Sequence, residues 1–250
     1  MKKIITVVYS ILAYTAGVIS LLYVIGFIAN IIVPKSIDSG ASKNPGYACI
    51  INLGLLSLFA VQHSVMARAS FKERWVNLVG AAAERSTYVL FTSLILLLLC
   101  WQWQPVSFIV WQTKEKVFIN ALTALNYTGW LIVFLSTFMI NHFELFGLKQ
   151  AFDNFTGRIS GKPVFKVNYF YTIVRHPIML GLLIAFWAAP VMTAGHLLFS
   201  VFNTIYILIA VKYLEEKDLE KFILIGDRVL IRPKNPLERT NSGLYLPPSV

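Results

Sequence analysis

Long apolar runs separated by short polar stretches set the pattern of this chain. The runs are Ile4 to Val33, Gly46 to Met66, Ser86 to Trp103, Val117 to Ile140 and Ile178 to Val211. A helix needs roughly 20 mainly apolar residues to cross the hydrocarbon of a bilayer. The first four runs each suit one crossing. The last holds 34 residues without Asp, Glu, Lys or Arg, too many for one ordinary span. Pro190 and Gly195 punctuate its middle, and both weaken a helix. The pattern therefore predicts two short helices, about Ile178 to Ala189 and Leu197 to Leu214, joined by a tight turn. The predicted fold class is all-α: a polytopic membrane helical bundle of four spanning helices plus a C-terminal helical hairpin. Asn141 to Gln150 mixes aromatic, charged and glycine residues and predicts an interfacial segment. Phe165 to Tyr171 is predicted to lie at the same headgroup level.

Composition supports this class. Of 250 residues, 57% are hydrophobic and 14% charged, against about 25% charged in ordinary soluble domains. Lys2 and Lys3 before an apolar stretch look like the start of a signal peptide. The stretch reaches Val33 without a charge or a clear cleavage site, so a retained first helix is expected. The net charge of +10 is arranged for a membrane surface rather than nucleic acid. With the N-terminus in the cytoplasm, 18 of the 22 basic residues fall on the cytoplasmic side. Only Lys35, Lys43, Lys114 and Lys116 fall outside. This is the distribution the positive-inside rule favours. Both termini are thus expected in the cytoplasm.

The candidate chemistry sits at helix ends. Arg175-His176-Pro177 opens the last apolar block, and Glu215-Glu216 closes it. In this layout both ends face the cytoplasm. Proline favours the first helical turn. The free amides behind it can hold an anion such as a carboxylate. Two carboxylates at a helix C-terminus oppose its dipole, so a cationic ligand there would compensate them. His63 and His142 lie at the cytoplasmic ends of the second and fourth spans, and His196 lies at the opposite side. For each, a structural histidine is the competing reading. Cys49 and Cys100 are isolated in apolar runs and suggest neither a disulfide nor a metal site. The scattered histidines lack a His-Glu-x-x-His pattern, so no metal is expected. No phosphate loop or nucleophile elbow appears.

Arg175-His176-Pro177-Ile178-Met179-x-Gly181, a helical hairpin and then Glu215-Glu216 resemble the isoprenylcysteine carboxyl methyltransferase superfamily of integral membrane methyltransferases. Tyr171 matches the tyrosine of that pattern, while Met179 stands where the family often has tyrosine. Gln62 to Arg68, Glu84 to Tyr88 and Asn141 to Leu148 add a likeness to the bacterial branch that converts methanethiol to dimethyl sulfide. The likeness covers about Met1 to Phe222. It implies S-adenosyl-L-methionine as methyl donor, held by Tyr171, His176, Pro177, Ile178 and Met179, and by Glu215 with Glu216 beside it. It also implies a small thiol substrate, and a bacterial inner membrane as location. His142 or His63 is the candidate base and Arg175 the candidate source of positive potential.

Residues 1–222 are read as the membrane methyltransferase domain. Residues 223–250 form an atypical tail, not expected to be an independent domain. It resembles the first strands of a small co-chaperonin and is too short for that fold. Two rival readings stay open: the same enzyme class acting on a larger lipid or prenylated thiol or carboxylate, and a non-catalytic transporter or assembly protein. Every Asp and Glu lies outside the apolar runs, which disfavours ion-coupled transport.

Overall fold

The computed structural model describes residues 2–40, 42, 44–158, 176–215, 222–225 and 228–231. Its helices are α1 (Lys2–Ala29), α2 (Pro45–Ala67), α3 (Ala69–Val79), α4 (Ala81–Gln102), α5 (Lys116–Ile140), α6 (His142–Leu145), α7 (Leu148–Thr156), α8 (Pro177–Trp187) and α9 (Ala194–Ile209). Among the described residues, five helices are long and apolar enough to cross a membrane: α1, α2, α4, α5, and α9 with its continuation to Lys212. α8 is a shorter apolar helix. The chain is an all-α polytopic helical membrane protein. Lipid offers backbone amides no partner, so helices that satisfy their own are the natural solution.

Two units are present, residues Met1–Thr204 and Ile205–Val250. In the first, α1 packs on α4, α2 on α4, and α5 on α8. The buried face of α1 carries Ser10, Ala13, Gly17, Ser20, Val24 and Phe27, alternating three and four residues apart. Opposite lie Ser86, Val89 and Ser93 of α4. Small residues let helix backbones approach where lipid supplies no hydrophobic drive between them. Ser86 donates its hydroxyl to Ser10 at 2.8 Å, so one pair of buried polar groups satisfies itself.

The α5–α8 contact is closer still. A Cβ on Gly129 would lie 2.7 Å from the Ala185 nitrogen, and a Cβ on Gly181 2.6 Å from the Gly129 oxygen. Val133 also meets Gly181, and Asn126 donates to the Ala185 carbonyl at 2.7 Å. The pairs 126–185, 129–185 and 133–181 define an antiparallel crossing at almost backbone contact.

At the end of the first unit away from the start of α1, three polar clasps hold the loops. Asn52, fully buried, donates to the Gln104 carbonyl and accepts from the Gln104 amide, at 2.8 and 2.9 Å. Trp103 donates to the Ile37 carbonyl. Thr193 donates to Asp38 at 2.5 Å, and Asn30 donates to the other Asp38 oxygen at 2.8 Å. The turn expected between α8 and α9 is in fact a strand, β2 (Val191–Thr193). It pairs antiparallel with β1 (Ile109–Gln112), Ile109 opposite Thr193 and Gln112 opposite Val191. A proline-broken loop leaves backbone groups open, and this pairing satisfies them.

The second unit contains the end of α9, a π-helix over Ala210–Glu215, and strands β3 (Phe222–Ile225) and β4 (Arg228–Ile231). β3 and β4 form an antiparallel pair with Ile225 opposite Arg228. The hairpin helices expected at Ile178 to Ala189 and Leu197 to Leu214 are thus observed with shifted bounds. The second changes to the wider π coil from Ala210.

The glycine crossing generates a direct test. Gly181→Ala must displace backbone of α5 and should cost about 1–3 kcal/mol of stability. Gly54 of α2 has nothing within 4 Å of its Cβ position, so Gly54→Ala should be neutral or slightly stabilising. Thermal unfolding of the detergent-solubilised protein compares them. Equal melting of the two variants would contradict the crossing.

Candidate functional site

One histidine is enclosed by groups from three elements. α5 ends at Asn141, whose backbone is left-handed (φ 112°) and whose side chain accepts from the Glu144 amide. Asparagine tolerates that conformation better than most residues. The turn folds His142 back against α5, where it stacks on Phe138 with ring centroids 4.4 Å apart. Phe146 and Phe143 close the sides at 4.8 and 5.5 Å. His142 is 8% exposed.

Its two ring nitrogens are both engaged. Nδ1 lies 2.9 Å from the Thr137 hydroxyl, and Nε2 lies 3.0 Å from the Tyr14 hydroxyl of α1. The Thr137 proton is already committed to the Phe134 carbonyl at 2.7 Å. A hydroxyl has one proton. Thr137 therefore accepts from His142, Nδ1 carries the hydrogen, and Nε2 offers its lone pair to the Tyr14 O–H. Burial pushes the His142 pKa below its ordinary value, because desolvation disfavours the cation. The ring is a neutral acceptor at pH 7.

Gly147 seats this segment on α4. Its φ is +88°, and a Cβ there would lie 2.6 Å from the Ser86 amide nitrogen. Only glycine meets both demands. Arg85 of α4 donates through Nε to the Leu145 carbonyl at 2.8 Å, and its guanidinium stands 5.1 Å from the Tyr88 ring centroid. Lys149 bridges to Glu144 at 3.3 Å.

His63 occupies a second polar position on the same end of the unit. The Tyr88 hydroxyl lies 2.9 Å from Nδ1 and 3.0 Å from Nε2, and Phe59 stacks on the ring at 5.3 Å. The two histidines do not touch. Between them Met66, Tyr88 and Val89 form a buried cluster with Phe146 packed against it. On α3, burial pushes the Lys72 pKa down, the nearby Arg85 charge lowers it further, and Glu84 opposes both. Lys72 and Arg85 thus lie close enough for their charges to interact, and Arg85 stands over Tyr88 of this cluster.

α8 begins at the same level. Extending the 129–185 and 133–181 register by one turn sets Pro177 level with Thr137, the partner of His142. Pro177 occupies the first helical turn and is buried, and the His176 side chain does not cap the helix amides. The structure thus brings His176, Pro177, Ile178 and Met179 to the layer of His142, as the antiparallel packing requires. Tyr171, Arg175, Glu216 and the side chain of Glu215 lie outside the described residues, so the roles expected of them rest on the sequence. His196 is 1% exposed and donates from Nε2 to the Phe186 carbonyl at 3.0 Å, a structural tie at the other end of the bundle. Among the described residues, no group of three or more His, Cys, Asp or Glu side chains is placed to hold a metal.

Sequence reasoning missed Tyr14, Thr137 and Tyr88. Each is a polar residue inside an apolar run. That signal was present, but it does not say which helix supplies the partner.

The packing, the buried histidine layer and the helix start at Pro177 define a polytopic membrane protein with a polar site at one end of its bundle. Residues 51–213 match the model of the NnrU protein family, and the chain belongs to that family. It is similar to methanethiol S-methyltransferase 2 of Bradyrhizobium diazoefficiens, 55% identical over 84% of this chain and 81% of the relative. It is also similar to methanethiol S-methyltransferase of Mycobacterium tuberculosis, 47% identical over 91% of this chain and 92% of the relative. Nurim of Xenopus laevis is 31% identical over 75% of this chain and 72% of the relative. No solved structure matches the chain.

The neutral state of His142 has a pH signature. Its folded pKa lies below its unfolded value of about 6.5. Between the two, the unfolded chain binds more protons, so stability falls as pH drops below 6.5. Melting temperature should fall between pH 7.5 and 5.5, and His142→Asn should flatten that slope. A wild-type slope retained in the variant would contradict the neutral buried ring.

Proposed function

We propose that the chain is an S-adenosyl-L-methionine-dependent methyltransferase that methylates a small thiol, methanethiol, to dimethyl sulfide. The observation that carries the reading is a convergence. Relatives bearing that activity in their names cover most of the chain, and a helix start suited to an anion lies level with a neutral histidine.

The residues present fit the donor. The first amides of a helix have no partner within it and carry the positive end of the dipole. At Ile178 and Met179 they suit the donor's amino-acid carboxylate. His176, the residue just before the helix, adds a directional contact. Bound there, the donor supplies a methyl group on a good leaving group. The protein's own work is alignment and deprotonation. Correct placement alone accounts for a large share of rate in such transfers.

A thiolate is the reactive nucleophile, and a simple alkyl thiol, less acidic than cysteine, is almost wholly protonated at pH 7. His142 is the proton acceptor in this reading, with its basic lone pair at Nε2. His63, beside Tyr88, is the second candidate. Arg85 and Lys72 supply the positive potential that favours a thiolate. The surrounding phenylalanines limit water around the His142 ring. The N-terminus faces the cytoplasm of a bacterial inner membrane in this reading, as the basic residues favour. The cytoplasmic donor then reaches the α8 start directly.

Cells expressing the chain and given methanethiol should release dimethyl sulfide, measured in headspace gas. His176→Ala should weaken donor binding about 10-fold in a titration of the purified protein. No dimethyl sulfide from a folded, membrane-inserted chain would remove the proposed activity. Unchanged donor affinity in His176→Ala would remove the assignment of that residue.

A further inference from the structure

The basic lone pair of His142 is not open to a substrate. Nδ1 is held by Thr137, Nε2 is covered by the Tyr14 hydroxyl, and Phe138, Phe143 and Phe146 wall the ring. Tyr14 is less enclosed: it is half-buried, while His142 is buried. Its ring packs edge-on against His142 at 5.7 Å and Phe146 at 5.6 Å, which fixes its direction. The phenol donates its proton inward, to Nε2. Its oxygen keeps lone pairs that can accept from outside.

We propose that Tyr14 is a catalytic residue: the proton relay between the thiol substrate and His142. The inference rests on the thiol methyltransferase reading above and names a group which that reading does not need. The thiol S–H donates its proton to the Tyr14 oxygen as the Tyr14 proton passes to His142 Nε2. The S–H bond breaks, a new O–H bond forms on Tyr14, and an N–H bond forms on His142. The thiolate electron pair then forms the new carbon–sulfur bond to the methyl of the sulfonium donor. The electrons of the broken donor bond stay on the departing thioether. After the neutral products leave, the imidazolium returns its proton through Tyr14 to water. The Thr137 bond keeps Nδ1 as the permanent donor, so Nε2 alone takes part.

The relay differs from a structural role in one respect. A structural tyrosine serves every nucleophile alike, whereas a relay matters only when the nucleophile arrives protonated. Methaneselenol has nearly the shape of methanethiol and is far more acidic, so it is largely ionised at neutral pH. Wild type and Tyr14→Phe are assayed on both, in membranes with saturating donor at pH 7, by gas chromatography of the methylated product. Wild-type turnover of methanethiol establishes the reading on which the relay stands. Tyr14→Phe should then lose about 100-fold on methanethiol, within the usual range for acid–base catalysis. On methaneselenol it should stay within about threefold of wild type. Its kcat/KM for methanethiol should also rise with pH about tenfold per unit, because the thiolate must then come from solution. Donor affinity, measured by titration without turnover, should be unchanged.

Equal losses on both substrates with donor affinity intact would overturn the relay. So would full methanethiol activity in Tyr14→Phe. If Tyr14→Phe loses donor binding through misfolding, Thr137→Val carries the same comparison. It removes the acceptor that fixes the His142 tautomer and leaves Tyr14 in place. A selective loss on methanethiol supports the relay there, and equal losses with donor affinity intact overturn it.

Discussion

A polar side chain inside a membrane bundle has to find its partner within the protein. Water is absent, and an unpaired group in hydrocarbon costs several kcal/mol. This constraint organises the structure. Tyr14 is tied to His142, His142 to Thr137, Tyr88 to His63, Tyr9 to Thr87 and Ser86 to Ser10. Each tie joins different elements or closes a turn. The polar residues that look misplaced in the apolar runs are therefore the ones that fix which helices are neighbours. The small-residue faces of α1 and α4, and the glycine crossing of α5 and α8, let those neighbours come close enough to bond.

The same ties build the candidate site. The left-handed turn at Asn141 and the glycine seat at Gly147 fold a short segment against α1 and α4. That segment carries His142. Its ring is neutral because burial and a fixed Nδ1 donor leave Nε2 as an acceptor. The α5–α8 register brings the start of α8 to the same layer. Donor binding and proton removal can then be served by residues a few ångströms apart in depth, on elements whose spacing is set by backbone contact. Such rigid support is what positional catalysis requires.

The sequence revealed the broad architecture because hydropathy is a one-dimensional signal. Runs such as Ile4 to Val33 and Val117 to Ile140 became α1 and α5 with small changes in bounds. The proline-marked break at Pro190 was legible as a helix end. That its loop pairs with Ile109–Gln112 was not, since strand pairing depends on a partner some 80 residues away. His142 was legible as a candidate from its place at the end of a span and from the segment that carries it. Its cage was not. Tyr14 is 128 residues from His142 in sequence, and nothing local to either names the other. Gly181 was visible as part of the Arg-His-Pro motif. Its role as a crossing point with Gly129 needed the packed helices. The same holds for Arg85, which the sequence offers as a topogenic charge and the structure ties to the Leu145 carbonyl.

The central claim is that a methyl donor held at the start of α8 faces the Tyr14–His142 pair across a small apolar space. A structure of the protein with a non-reactive S-adenosylmethionine analogue bound tests it most directly. Reacting atoms align at roughly 3–3.5 Å, and a thiol bonded to Tyr14 adds a similar distance. The analogue's sulfur should therefore lie within about 10 Å of the Tyr14 hydroxyl, its carboxylate on the amides of Ile178 and Met179. An analogue seated elsewhere, or one whose sulfur is walled off from Tyr14 by the bundle, would contradict the account.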